Sequence, residues 1–245
     1  FIKGIASSNN NKGAIYYYLG NYPKALDQYK KAMKLHEELN NETQLAATTQ
    51  NIGNIFLELN NFSNAMKHYQ IAKKIYQKTS NNKALAQTLN NIGDVYMKEE
   101  NYDAALNNFE RALMLAEDNN ERQVQAEVLF NLGKLSEVKN IHIDALKFYN
   151  QSLKISTDIK SSFNESSALI ALGVIQQKLN KRNQAIKNCK QGLEIAKKLN
   201  VISVQEEACK CLYNAYKSKS QSSKALFYNE QMHLLKDSLN LKQTT

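Results

Sequence analysis

The residues able to do covalent or metal chemistry are few and scattered. His36, His68, His142 and His233 belong to no HExxH pair and to no Cys/His cluster of metal-ligand spacing. They read as exposed or capping imidazoles. Cys189, Cys209 and Cys211 all fall in the last third, and their number is odd. They read as small apolar residues at helix-packing positions rather than as a disulfide framework. The glycines are single, so no phosphate-cradling loop exists, and there is no Gly-x-Ser-x-Gly elbow and no kinase motif set. The acidic pairs Glu37–Glu38, Glu99–Glu100 and Glu206–Glu207 read as solvated charge beside helix ends. Catalysis, a metal and a small-molecule cofactor are therefore not expected. The chemistry that does recur is the side-chain amide, at Asn11, Asn51, Asn91 and Asn131. Each offers two donors and an acceptor, and a row of them can grip an extended peptide backbone whatever its side chains.

Those asparagines are forty residues apart because the whole chain is periodic. Gly13, Gly53, Gly93, Gly133 and Gly173 keep that spacing, as do Ala25, Ala65, Ala105, Ala145, Ala185 and Ala225. Tyr16, Phe56 and Tyr96 follow the glycine by three, and Tyr29, Tyr69, Phe109 and Tyr149 follow the alanine by four. Within each unit the apolar and small residues recur at intervals of three and four, as in Leu89, Ile92, Gly93 and Tyr96, which predicts an amphipathic helix. A second such helix carries Ala105, Leu106, Phe109, Ala112 and Leu113. A helical glycine costs close to 1 kcal/mol of propensity. Here it reads as a packing device that lets two helices approach while the aromatics fill the space beside it. Asn and Gly in the short joints suit the left-handed residue that ends a helix. Ser63 and Asp103 are expected to favour the start of the next one, and Pro23 lies in a first turn, where its missing N–H costs little.

The unit N-x-G-x-x-[YF]…[YF]-x-x-A-[LM]-x-x-[YF]-x-x-A resembles the tetratricopeptide repeat over essentially the whole chain. The repeats would run 6–45, 46–85, 86–125, 126–165, 166–205 and 206–245, as one domain over 1–245. The resemblance implies an all-α fold, a right-handed superhelical solenoid of six helical hairpins with one continuous core and one long groove. The forty-residue length is similar to the longer repeats of kinesin light chains, of cell-polarity adaptors and of bacterial signalling proteins. The last copy departs most, with Tyr213 in place of the glycine and Asn229 in place of the aromatic, as a terminal repeat allows.

In this family the positions just before and after the glycine line the groove. The resemblance thus assigns a peptide-binding groove to Asn11, Gln50, Asn51, Asn54, Asn90, Asn91, Asp94, Asn131 and Lys134. Apolar Phe130, Ile170 and Val174 and then basic Lys178, Lys210 and Lys217 continue it. The chaperone-type carboxylate clamp is not matched, since Ser7, Ala47, Gln87, Glu127, Ser167 and Glu207 occupy its basic position. An extended ligand with a polar stretch, an apolar anchor and an acidic end would match the order of the lining.

Net charge sharpens that reading. Residues 1–165 carry 19 Lys/Arg against 18 Asp/Glu, or +1, and residues 166–245 carry 13 against 5, or +8. Lys181, Arg182, Lys187, Lys190, Lys197 and Lys198 lie on a second helix, which in this family faces outward. They offer an acidic partner or nucleic acid a surface. Aromatics are not interleaved as a stacking platform requires, which argues against nucleic acid. No apolar run approaches the length that crosses a bilayer. The chain begins at Phe1, which reads as a processed form or excised fragment.

The favoured assignment is a non-catalytic protein- or peptide-binding module, the sensory or interaction region of a larger bacterial signal-transduction protein, cytoplasmic or else the periplasmic ectodomain of a membrane-bound sensor. The alternative is a free-standing scaffold or adaptor. The bacterial quorum-sensing phosphatase regulators carry an extra N-terminal helical bundle, which five residues before the first repeat do not supply. Leu226, Leu234, Leu235 and Leu239 are the expected surface for a homo-oligomer formed through end repeats.

Overall fold

A computed structural model describes residues 2–244, with side chains through residue 238. The side chain of Leu239 lies outside the described residues. Among them the chain forms twelve α-helices and no strand: α1 (Ile2–Tyr18), α2 (Tyr22–Glu38), α3 (Glu42–Glu58), α4 (Phe62–Lys78), α5 (Asn82–Lys98), α6 (Tyr102–Asp118), α7 (Arg122–Val138), α8 (His142–Asp158), α9 (Ser162–Lys178), α10 (Arg182–Lys198), α11 (Ile202–Lys217) and α12 (Ser222–Thr244). The fold is the expected all-α solenoid of helical hairpins.

The helices stop where they do because the joints are built for it. Gly20 has φ 74°, and ten non-glycine residues at twenty-residue steps from Asn40 to Ser220 have φ between 51° and 60°. Six of the ten are asparagine, which adopts the left-handed conformation more readily than most residues. The next N–H then reaches back to the helix, as when Asn61 donates to the Phe56 carbonyl at 2.8 Å. That same residue starts the following helix. The side chains of Asn21, Asn41, Asn61, Asn81 and Asn101 each accept from a backbone N–H three residues on, at 3.2 Å. Such a cap contributes about 1 kcal/mol. The caps therefore precede Ser63 and Asp103 by two residues, because the turn between helices is that much tighter than those side chains suggested.

The helices gather into two compact units, residues 1–121 and 122–245. In each, three hairpins stack, and the first helices touch one another along one wall: α1, α3 and α5 in the first unit, α7, α9 and α11 in the second. The hairpins close on their glycines. Rings lie so near that a methyl added at Gly53 would fall 2.6 Å from Tyr69, at Gly93 2.6 Å from Phe109, and at Gly133 2.5 Å from Tyr149. Tyr69, Phe109 and Tyr149 are fully buried, and each contributes roughly 1.5–3 kcal/mol by leaving water. The next hairpin of the same unit covers two of them, with Tyr69 packing on Ile92 and Val95 and Tyr149 on Leu172 and Ile175.

His36 corrects the reading of the histidines. It is only 3% exposed on α2, and neither ring nitrogen meets a hydrogen-bond partner among the described residues. Its place in the repeat is that of Tyr76, Ala116, Ser156 and Ala196, all buried, so the site is an interior one. Burial pushes its pKa down, as it does for His68, which stacks on Phe56 with centroids 5.4 Å apart. His233 is exposed, as expected.

Two outcomes are expected. Gly93→Ala should cost about 1–2 kcal/mol by denaturant titration, overpacking against Phe109 outweighing the helix propensity gained. Gly4→Ala, whose new methyl would meet nothing within 4 Å, should stabilise by about 0.5–1 kcal/mol. The buried histidines set a pH dependence as well. Folded His36 holds its proton less tightly than unfolded His36, so stability is complete above the ordinary value near 6.5 and declines as pH falls through the lowered one. Melting curves between pH 7 and 5 should fall for the wild type and be flatter for His36→Tyr; equal slopes would refute the account.

Candidate functional site

The wall of the first unit carries the amides. Asn51 and Asn54 on α3 border a hollow of about 270 Å³ with Ala14, Tyr17, Tyr18 and Tyr29. Burial raises the Tyr17 phenol well above its usual range, with Glu58 adding to the effect. Asn11 on α1 is exposed. The other amides are engaged with the protein itself. Asn54 Oδ1 accepts from the Tyr69 hydroxyl of α4 at 2.8 Å and from Asn91 Nδ2 of α5 at 3.1 Å, so one oxygen ties three helices. The Gln50 side-chain oxygen lies 2.8 Å from Thr88 Oγ1, and that of Asn10 lies 3.3 Å from Thr48 Oγ1. Asn90 is buried and Asp94 half-buried on α5. The amide row thus joins successive repeats and keeps only part of its hydrogen-bonding capacity for a ligand.

The second unit has a different wall. Between α7, α9 and α11 opens a cleft of about 560 Å³ lined by Phe130, Lys134, Ile170, Val174, Lys210 and Asn214, among others. Phe130 stands against Tyr149, ring centroids 5.4 Å apart, and Ile170 is buried at the floor. Asn131 lies half-buried on α7. Of the three lysines read as the basic end, only Lys210 borders the cleft. Lys178 reaches Glu137 at 2.9 Å, and the same carboxylate accepts the Tyr149 hydroxyl at 3.0 Å. Lys217 lies over the Tyr213 ring, 5.5 Å from its centroid.

Sequence reasoning missed Phe163 and Val204 in the lining, together with the pivot at Glu137, and it read Glu207, which also borders the cleft, as solvated charge. Glu137 and Gln177 both stand four residues after a glycine, and comparing that position between repeats would have drawn attention to them.

The cysteines also correct their first reading. Cys189 of α10 and Cys211 of α11 are joined, their Cα atoms 6.1 Å apart, and Cys209 is free and buried. Among the described residues there is no group of three or more His, Cys, Asp and Glu placed to hold a metal. None of their helices is long and apolar enough to cross a membrane.

Comparison with known proteins fits this architecture. Models of the tetratricopeptide repeat match residues 4–78, 84–158 and 166–199, and the chain belongs to that family. No curated protein matches it in sequence. Among solved structures, a Rap protein complexed with competence and sporulation factor superposes with a TM-score of 0.73 at 16% identity, over 96% of this chain and 75% of that one. The Rap conjugation gene regulator of plasmid pLS20, in complex with the Phr* peptide, gives 0.57 at 18%, over 95% and 73%. A signal transduction ATPase with numerous domains and a tetratricopeptide repeat sensor, from Pyrococcus horikoshii, gives 0.72 at 16%, over 95% of this chain but 36% of that one. At such identities the likeness is one of fold.

The hydrogen bonds sort the amides into two kinds. Asn54→Ala leaves the Tyr69 hydroxyl and the Asn91 amide short of an acceptor and should destabilise by about 1–3 kcal/mol. Asn11→Ala, at an exposed position, should change stability by less than about 0.5 kcal/mol. Equal effects in urea titrations would show that the contacts at Asn54 contribute nothing.

Proposed function

We propose that the chain is a non-catalytic protein- or peptide-binding module, and that the cleft between α7, α9 and α11 takes an apolar anchor side chain of an extended ligand beside an acidic residue. The observation that carries this is the cleft itself. An apolar floor at Phe130, Ile170 and Val174 lies beside Lys134 and Lys210, and such a hollow with a few polar groups at its rim is what a ligand site requires. Two similar folds, the Rap protein with its competence and sporulation factor and the Rap regulator with Phr*, were each solved in complex, which supports a protein- or peptide-binding use of this fold. The amide hollow at Asn51 and Asn54 is a second contact surface for main chain.

The repeat phase runs through both units without a break in sequence, and we read them as one array. The wider setting we favour is the sensory or interaction region of a bacterial signalling protein, held in the cytoplasm. The P. horikoshii protein, a signalling ATPase with a sensor of this kind, supports it. A free-standing scaffold is the second reading, favoured by the exposed apolar residues Leu226, Phe227 and Leu234 of α12, which suit a second copy or a partner. The basic face of α10 is the weaker surface, suited to an acidic partner more than to nucleic acid.

Fluorescence anisotropy with labelled decapeptides tests the cleft. An acidic peptide bearing one central leucine should bind, and its lysine-substituted counterpart should bind at least about tenfold more weakly, roughly 1.4 kcal/mol. Val174→Asp and Lys210→Glu should each weaken the acidic peptide by a similar factor, and Lys187→Glu on α10 should not. Charge-reversed peptides binding equally well would refute the site.

A further inference from the structure

The repeats allow one position to be compared five times along the chain. The residue four after the conserved alanine on each second helix is followed, twenty-two residues later, by the residue two before the next glycine position. In order these pairs are Tyr29 with Asn51, Tyr69 with Asn91, Phe109 with Asn131, Tyr149 with Ala171, and Cys189 with Cys211. The chain holds three cysteines, and two of them occupy both members of a single pair. The structure shows why that pair matters. The two Cα atoms are 6.1 Å apart, within the span of a disulfide, and the side chains are 0% and 1% exposed. Gly173 makes room for both sulfurs, since a methyl there would collide with Cys189 Sγ and lie 3.0 Å from Cys211 Sγ. Gln177 Nε2 donates to the Cys211 carbonyl at 3.2 Å. Cys211 also forms part of the cleft wall, between Ile170 and Asn214.

We propose that Cys189 and Cys211 are a redox-active pair, whose disulfide locks α11 to α10 and thereby sets the shape of the cleft. The bond does not depend on the proposed function; its effect on a ligand does. Stacking alone does not call for a covalent link. At Tyr69 and Asn91 the same step is bridged without one, through Asn54. A bond at the step beside the cleft adds a condition to that wall. Closing it transfers two electrons and two protons from the thiols to a small-molecule disulfide, which leaves as two thiols, and a dithiol reverses the exchange. The cleft gives such a reagent its path to Cys211, and Cys209, buried away from the cleft lining, takes no part.

The test uses the full chain. After a small-molecule disulfide is added, denaturation and alkylation without reductant should leave Cys209 alone alkylated, with a linked peptide containing Cys189 and Cys211 in the digest. Reduction should then lower the melting temperature of the wild type by about 5 °C or more, and leave that of Cys189→Ala/Cys211→Ala unchanged. It should also change the affinity for the leucine-bearing acidic decapeptide by at least about threefold in the wild type only. Alkylation of all three cysteines in the oxidised sample would overturn the proposal. So would a linked pair with unaltered peptide affinity, which reduces the bond to a brace. If no peptide binds in either state, the proposed function fails, while the digest and melting curves still decide whether the bond forms.

Discussion

The close approach of a ring to a glycine backbone inside each hairpin is the contact on which the other features depend. With no Cβ on Gly53, Gly93 or Gly133, the rings of Tyr69, Phe109 and Tyr149 lie close against the first helix and fix the spacing of the pair. The outer edge of Tyr69 and that of Tyr149 then become the surface for the next hairpin of the same unit, where Ile92 and Val95 or Leu172 and Ile175 cover that edge. A lone hairpin would leave that edge in water, so the hairpin and the stack are stabilised by the same side chain. The wall of first helices is a consequence. Where the glycine is lost, at Tyr213, the packing changes in kind: Tyr216 stacks on Tyr228 of α12 with ring centroids 5.7 Å apart and planes 4° from parallel.

The two units use that scaffold differently, and the difference extends to the joints. In residues 1–121 five helices begin with an asparagine whose side chain caps the first turn, and amides tie successive helices. In residues 122–245, Ile141, Ser161, Lys181 and Val201 stand at the corresponding starts with no side-chain cap. One polar link beneath the wall there is charged, Glu137 with Lys178, and the wall opens into an apolar cleft. A capped polar segment and a less capped apolar one suit separate tasks, since a wall that must adapt to a side chain gains from fewer local constraints.

Much of the fold was legible because its determinants are local and repeated. The glycine spacing, the aromatic spacing and the asparagine joints are each read within one forty-residue copy and then checked against the next. What was misread depends on partners from elsewhere in the chain. Lys178 and Lys217 look like free basic residues on a groove until Glu137 of another helix and the ring of Tyr213 are placed beside them. The amides at Gln50 and Asn91 look available until Thr88 and Asn54 are seen to use them. His36 seemed exposed because imidazole is polar, although its place in the repeat is that of buried Tyr76. The start of α4 was placed at Ser63 because serine caps well, whereas the left-handed Asn60 had already turned the chain and left the cap to Asn61.

Two of these misreadings, at Asn91 and at Lys178, share a location. Just beyond Gly53, Gly133 and Gly173, where the second helix of one repeat meets the first helix of the next, a small polar or covalent junction forms. At Asn54 it is an amide oxygen between Tyr69 and Asn91, at Glu137 a carboxylate between Tyr149 and Lys178, and at Gln177 an amide beside the Cys189–Cys211 link. The hydrophobic contacts are nearly the same from repeat to repeat, and so cannot distinguish one step of the stack from another. The junctions can, because each has its own chemistry: hydrogen bonds that water competes for, an ion pair that salt screens, and a bond that responds to thiols. Variation in an otherwise uniform array is therefore concentrated where repeats meet, directly beneath the wall that would face a ligand.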